Sequence, residues 1–438
     1  MITKTQSLNR RLFLKSIALT AGAIGVPTVL PSSILGAGGA VAPSNRVTVA
    51  SIGVGQRGRG DLTGFLAIPE AKVLAVCDSF KDRQQKAKEM VDVKYDNKDC
   101  QTYGDFREVL ARRDIDAVAI ATQDHWHAII ATAAANAGKH MYCEKPFGVS
   151  VQQCQAIRDT VRKKKVTFQT GTQQRSDRKF RQACELALNG YLGKVHTVQV
   201  GAPGPSYKPK YTGSMEPQPV PEGFDWNMWR GPAPAKPYNL GRVSWPDWYL
   251  IYDYCTGFIV NWGVHHLDIA HWGCPELSQA DFEVECQATY RKEGFTDNVS
   301  GWNSTFTYAS GLKLIYTDSP QQKSGCKFIG DKGCVYVDRP AISAEPESLL
   351  EVKLKDSDLH LPQSDNHVLD FVQAVRNQTR PIADVGAGFK ASYFGMVADI
   401  SARLNQKLKW DVKKERFTGA DSANAMLARP LHNGWKLS

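Results

Sequence analysis

The sequence predicts an α/β chain in which a doubly wound parallel sheet is followed by an α+β domain with a mostly antiparallel open sheet. Three observations lead there. Between residues 46 and 171, apolar runs alternate with helical patterns. Beyond residue 280 the apolar residues recur at every second position. A Pro-, Gly- and Trp-rich stretch from 202 to 248 separates the two textures. Strands that are apolar throughout need cover on both faces, which is how helices pack on a parallel sheet. Alternation marks strands with one face in water.

The elements follow in order. R-V-T-V-A-S-I-G-V-G (46–55) reads as a strand running into glycines, K-V-L-A-V-C-D (72–78) as a second, and D-A-V-A-I-A-T (116–122) as a later one. K-H-M-Y-C-E (139–144) and V-T-F-Q-T-G (166–171) complete the series. Helical patterns lie between them at 81–91, 105–113 and 126–137, the last ended by Gly138. A helix at 177–189 precedes the irregular stretch. Period-2 strands are expected at 281–290, 304–309 and 312–317, and helices at 366–376 and 387–404. The expected division is 1–42 as a targeting segment, 43–170 as the parallel-sheet domain and 171–438 as the second domain.

The chain has 438 residues, 42% of them hydrophobic, enough for about two domains with real cores. Net charge is +10, yet the basic residues are scattered. Their one tight run, Arg162 to Lys165, sits at a predicted helix end, so no nucleic-acid partner is expected. N-R-R-L-F-L-K (9–15), a short apolar region and small residues near Ala37–Ala42 resemble a twin-arginine export signal. That apolar stretch is too short and Gly-rich to span a membrane. Pro43 argues against cleavage directly after Ala42. The expectation is a periplasmic protein with no membrane insertion once the signal is removed.

Ten cysteines show no C-x-x-C. Cys77 and Cys143 lie in apolar runs and read as small core residues. The twin-arginine route carries folded proteins, so thiols can remain reduced and a nucleotide can be loaded before export.

Gly53-Val54-Gly55-Gln56-Arg57-Gly58 is G-x-G-x-x-G, leaving a strand and opening a helix. The first glycine allows the turn, the second lets a pyrophosphate reach the backbone, and the third lets helix and strand pack closely. Asp78 ends the next strand, twenty residues after Gly58. A carboxylate there accepts from a ribose 2′-OH and repels a 2′-phosphate, which favours NAD. Arg57 and Arg59 weaken that preference, so NADP stays open.

Glu144-Lys145-Pro146 lies at the carboxyl end of a later strand, where open parallel sheets bind ligands. Proline holds Lys145 extended. A lysine near a nicotinium charge and partly desolvated has a lowered pKa and can accept a proton.

This order of features, with A-I-A-T-Q-D-H-W-H (119–127), resembles the glucose–fructose oxidoreductase / inositol dehydrogenase / rhizopine-catabolism (Gfo/Idh/MocA) family over nearly everything after residue 45. The resemblance implies that Lys145 acts on the substrate hydroxyl and Glu144 helps to position the cofactor. It places Thr122, Trp126 and His127 along the cofactor, with Gln123 where the family has proline. The family's D-x-x-x-H falls on Asn261 to His265, so His265 is the second catalytic candidate. Asn261 stands where the aspartate is usual and cannot carry charge. Tyr254, Asn261, His265 and His266 are the expected substrate contacts. The alternative of a metal on His265, His266, Asp268 and His271 lacks a completing cysteine or acidic cluster, so no metal is expected.

Six of the ten tryptophans fall between Trp226 and Trp272, near Tyr249, Tyr252 and Tyr254. Aromatic faces suit sugar rings, although half or more of these are expected in the core. The resulting expectation is an NAD(P)-dependent oxidoreductase acting on a sugar, glycoside or cyclitol, with tightly held cofactor, as a homodimer or homotetramer. Two alternatives stand beside it. One is an NAD-dependent glycosidase working by transient ring oxidation and elimination. The other is a non-catalytic periplasmic carbohydrate-binding protein, which Asn261 would support.

Overall fold

The structure, a computed structural model, describes residues 41–42, 45–204, 209–318 and 320–437. The proposed export motif at 9–15 lies outside the described residues. In the described part of the segment before Val47, the Asn45 N–H donates to the Ala42 carbonyl at 2.8 Å.

From Val47 on, six strands form one parallel sheet: β1 (Val47–Ile52), β2 (Ala71–Cys77), β3 (Gln101–Tyr103), β4 (Ala117–Ile120), β5 (His140–Cys143) and β6 (Phe168–Thr170). Their order is β3-β2-β1-β4-β5-β6. The intervening helices are α1 (Gln56–Leu66), α2 (Lys81–Tyr95), α3 (Phe106–Ala111), α4 (Asp124–Asn136) and α5 (Val151–Lys164). Every residue of β4 is buried, as expected of a central strand covered on both faces. The order reverses between β1 and β4, so a crevice opens at their carboxyl ends. Gly53, Asp78, Ala121, Glu144 and Gly171 follow β1, β2, β4, β5 and β6 at that one edge.

The second sheet has nine strands: β7 (Val195–Ala202), β8 (Phe282–Tyr290), β9 (Val299–Tyr308), β10 (Lys313–Asp318), β11 (Gly325–Gly330), β12 (Gly333–Val337), β13 (Ile342–Glu345), β14 (Leu408–Asp411) and β15 (Arg416–Phe417). It is antiparallel except where β7 pairs with β10. In β8 the burial alternates over its first six residues, and the buried positions Phe282, Val284 and Cys286 face the helices. The longer helices are α6 (Arg178–Leu188), α7 (Val264–Gly273), α8 (His367–Asn377) and α9 (Val385–Leu404). Phe394 of α9 packs on Phe282 and Phe306, with ring centroids 5.1 Å away in each case.

α7 is buried along its whole length. It lies so close to the second sheet that a Cβ on Gly263 would meet the Tyr316 hydroxyl at 1.8 Å and one on Gly273 would meet the Phe328 ring at 2.4 Å. α8 returns to the first sheet, where Phe371 packs on Phe65 and Tyr142. All ten cysteines are free thiols, and Cys77 and Cys143 are buried as their apolar surroundings predict.

Candidate active site

The glycine turn is shaped by close contact. Gly53 leaves β1 at φ +82°, and a Cβ there would lie 2.6 Å from the Ala121 carbonyl oxygen. A Cβ on Gly58 would lie 1.8 Å from the Gly53 carbonyl oxygen, so α1 can begin this near to β1 only with glycine. At Gly55, among the described residues, only the Arg83 guanidinium comes within 4 Å of a Cβ position, which leaves open space over the backbone. No side chain caps the start of α1, so its first N–H groups and the positive end of its dipole are available to an anion. The buried Asp78 carboxylate accepts from the Val54 N–H at 2.9 Å and the Phe80 N–H at 3.0 Å. Burial pushes its pKa up, against Arg83 and those two N–H groups. Gly53, Gly55, Asp78, Thr122 and Trp126 line one end of the crevice. A tight turn with room above its middle glycine, a free helix start and a carboxylate beside it fit a dinucleotide.

The crevice widens into a cleft of about 1330 Å³ between the two sheets' domains. Gln56, Arg57, Thr122, His127, Glu144, Lys145, Asn261 and His265 line it. Glu144 is buried, and its Oε1 accepts from Arg57 Nε and Gln173 Nε2, each at 2.9 Å. Arg57 also pairs with Asp61 at 2.6 Å, so it ties the start of α1 to the end of β5. Gly171 makes room: a Cβ there would sit 2.4 Å from Glu144 Oε1.

Lys145 precedes a cis peptide bond to Pro146. Its Nζ donates to the Asn261 carbonyl oxygen and to Asn261 Oδ1, both at 3.0 Å. Desolvation lowers its pKa, while Glu144 and Asp124 pull it back up. Asn261 Nδ2 in turn donates to both carboxylate oxygens of Asp124 at 2.9 Å. Asp124 opens α4 and is buried; desolvation raises its pKa. His265, on α7, is buried, and desolvation followed by the Lys145 charge holds its pKa well below the ordinary histidine value. Its ring is therefore neutral. Its Nδ1 has no hydrogen-bond partner among the described residues.

Two residues expected at the substrate are placed elsewhere. His266 is fully buried with Nδ1 2.7 Å from the Gly201 carbonyl oxygen and Nε2 3.3 Å from Asp338, because it takes the sheet-facing side of α7. Tyr254 is fully buried against His125 and Trp229. Of the remaining α7 residues, Asp268 receives a two-pronged ion pair from Arg175, at 2.7 Å on each oxygen, and His271 packs on Phe394. Among the described residues, no three His, Cys, Asp or Glu side chains are placed to hold a metal. His127 sets its nitrogens 2.6 Å from the Pro146 carbonyl and 3.0 Å from the Thr122 carbonyl, fastening the loop after β4 to the loop after β5. Trp126 Nε1 donates to the Trp229 carbonyl at 3.0 Å.

Sequence reasoning missed Asp124, Gln173 and Arg339, and did not say which of the aromatics around Trp226–Trp272 face the cleft. Tyr238, Trp245, Trp248 and Tyr249 line the cleft, Tyr238 and Trp248 being themselves largely buried; Trp226, Trp229 and Trp272 are buried and do not line it. Arg339, after β12, lies over the Trp262 ring at 4.8 Å and also lines the cleft.

Residues 47–172 match the NAD-binding Rossmann fold of the Gfo/Idh/MocA oxidoreductase family, and residues 176–437 match that family's C-terminal alpha/beta domain. Myo-inositol 2-dehydrogenase of Thermotoga maritima is 28% identical over 161 residues, 37% of this chain and 46% of that protein. A glycosyl hydrolase family 109 protein of Shewanella pealeana is 33% identical over 168 residues, 35% of this chain and 37% of that protein. The match thus spans less than half the length of either curated relative. The crystal structure of aldose-aldose oxidoreductase from Caulobacter crescentus, complexed with glycerol, shares the fold at a TM-score of 0.63 and 18% identity, covering 83% of this chain and 99% of that one. The Rossmann half, the C-terminal half and the whole fold agree, and the chain belongs to the Gfo/Idh/MocA oxidoreductase family.

Proposed function

We propose that this chain is an exported NAD-dependent oxidoreductase, with NADP as the less favoured nucleotide, acting on a hydroxyl of a sugar, glycoside or cyclitol. The observation that carries the reading is Lys145 Nζ, fixed by two 3.0 Å bonds to Asn261 in the same cleft as the glycine turn and Glu144. The 53–58 turn would hold the nucleotide's phosphates and Asp78 a ribose. Thr122, Trp126, His127 and Glu144 would complete its bed. When bound, the nicotinamide supplies the hydride acceptor.

The chain's own residues manage the proton. Burial makes the neutral amine of Lys145 accessible, so it can take the proton of the reacting hydroxyl. A neutral His265 can give one hydrogen bond and take another, which suits a residue orienting that hydroxyl. Tyr238, Trp245, Trp248 and Tyr249 offer faces for the C–H side of a sugar ring. Export rests on the arginine pair Arg10 and Arg11, and a cofactor held tightly through catalysis suits a compartment without its own supply. Residues 43–170 then carry the nucleotide, and residues 171–438 supply substrate contacts and the interface of a homodimer or homotetramer.

A second reading, an NAD-dependent glycosidase acting by transient ring oxidation and elimination, is favoured by the likeness to the glycosyl hydrolase family 109 protein. The ultraviolet spectrum of protein purified without added nucleotide is the first test. A shoulder at the reduced-nicotinamide band supports bound cofactor, and its absence with no response to added NAD counts against both readings. Release of the aglycone from a glycoside, compared with accumulation of an oxidised sugar, separates the two.

A further inference from the structure

The chain Lys145–Asn261–Asp124 has an order that charge alone dictates. An ammonium only donates and an ionised carboxylate only accepts, so the amide between them can face one way: Oδ1 toward Lys145 and Nδ2 toward Asp124. The distances agree, at 3.0 Å on one side and 2.9 Å to each oxygen on the other. All three sit where the first sheet meets the C-terminal half: Lys145 after β5, Asp124 at the start of α4, and Asn261 three residues before α7.

We propose that Asp124 is a positioning residue for the reaction: through Asn261 it aims the Lys145 amine and stabilises the ammonium that forms when Lys145 takes the substrate proton. The proposal rests on the reading of Lys145 as proton acceptor. An amide held between opposite charges is polarised along its length, and a low-dielectric site strengthens such a chain. Asn261 carries no charge itself, so the compensating carboxylate has moved one hydrogen bond further from the lysine. The proton that Lys145 gains stays on Nζ.

Other groups face Lys145 as well. Glu144 lies beside it, but its Oε1 is already shared by Arg57 and Gln173, and Arg57 also takes Asp61. Cys255 and His265 approach from the C-terminal half, with Arg339 beyond, and His127 flanks Asp124 on α4. Against the cations Arg57 and Arg339, Asp124 is the carboxylate whose two oxygens both accept from the group holding Lys145.

The test is trace labelling of Lys145 in the full-length protein with isotopic acetic anhydride across pH, read by mass spectrometry of its peptide. It needs neither substrate nor nucleotide, so it stands apart from turnover. Asp124→Asn is expected to lower the labelling midpoint of Lys145 by about one pH unit, the scale of one charge withdrawn from a partly desolvated site. The double variant Asp124→Asn with Asn261→Asp moves the carboxylate one hydrogen bond closer: Lys145 still donates to residue 261, and the amide at 124 now donates to the carboxylate there. It is expected to bring the midpoint back to the parent value or above. Once a substrate is in hand, the acid limb of kcat/KM moves to lower pH in the single variant and returns in the double.

A folded Asp124→Asn protein with an unchanged midpoint overturns the proposal. If the single variant does not fold, the double decides: a midpoint below the parent's, or a failure of the double to fold, overturns it as well. A Lys145→Ala protein with normal turnover would instead remove the underlying reading, which the labelling result leaves untouched.

Discussion

Asp78 joins two functions in one carboxylate. It accepts from the Val54 N–H, which holds the glycine turn, and it stands where a ribose hydroxyl would come. Asp78→Asn keeps the shape but replaces one acceptor oxygen with a donor. It should weaken NAD binding about ten- to a hundred-fold, the worth of one or two buried hydrogen bonds, and narrow the gap to NADP. Fluorescence titration with both nucleotides measures this, and an unchanged NAD affinity would mean that the carboxylate serves the turn alone. The glycines, Asp78 and Lys145 were legible in the sequence because each sits at a strand end and its role depends on local spacing. Asp124 was not, and Asn261 was legible as a substrate contact but not as the link to Asp124, since their bond spans 137 residues of chain. The charge missing at Asn261 reads from the sequence as a sign of lost chemistry; in space, a carboxylate from α4 stands 2.9 Å behind it.

At the level of elements, α7 explains why the sequence placed His266 at the substrate beside His265. A helix buried on every side has no apolar stripe, so a 3.6-residue period carries no information about which face meets the cleft. Only the sheet decides: His266 takes the Gly201 carbonyl and His265 is left to the cleft. The missed strands have physical reasons too. β3 is three residues long and largely exposed, and β11 and β12 are bounded by Gly325, Gly330 and Gly333, which interrupt the pattern. β7 finds its parallel partner β10 more than a hundred residues later. α7 also yields a pH prediction. His271 is buried with neither ring nitrogen bonded among the described residues, and desolvation brings its pKa down to about 3. The unfolded chain takes up a proton there below its ordinary value of about 6.5 and the folded chain does not, so this residue's contribution to stability is lost as pH falls from about 6.5 toward 3. His271→Leu should therefore gain on the parent by about 1.4 kcal/mol per pH unit between pH 6 and 4. Urea denaturation at pH 7.5, 5.5 and 4.5 checks this, and a difference that does not vary with pH would contradict it.

Across the whole molecule, the two halves divide the task but share a core. The parallel sheet presents five strand ends at one edge, and α7 with its preceding turn brings Asn261 and His265 to face them. α8 closes back over the first sheet through Phe371, so the ordering of the second half also supports the strands that carry the turn. The fold class was legible because strand texture differs so clearly on the two sides of residues 202–248. The facing of the halves was not, because it depends on contacts such as Lys145 with Asn261, 116 residues apart. The central claim is that this arrangement makes Lys145 the proton acceptor of a nucleotide-dependent oxidation. The most direct measurement is turnover of Lys145→Ala, followed as reduced nicotinamide on whichever sugar, glycoside or cyclitol the parent oxidises, with nucleotide affinity determined on the same preparation. The account predicts a fall of about two to four orders of magnitude with NAD still bound. Normal turnover, or loss of the nucleotide, would contradict it.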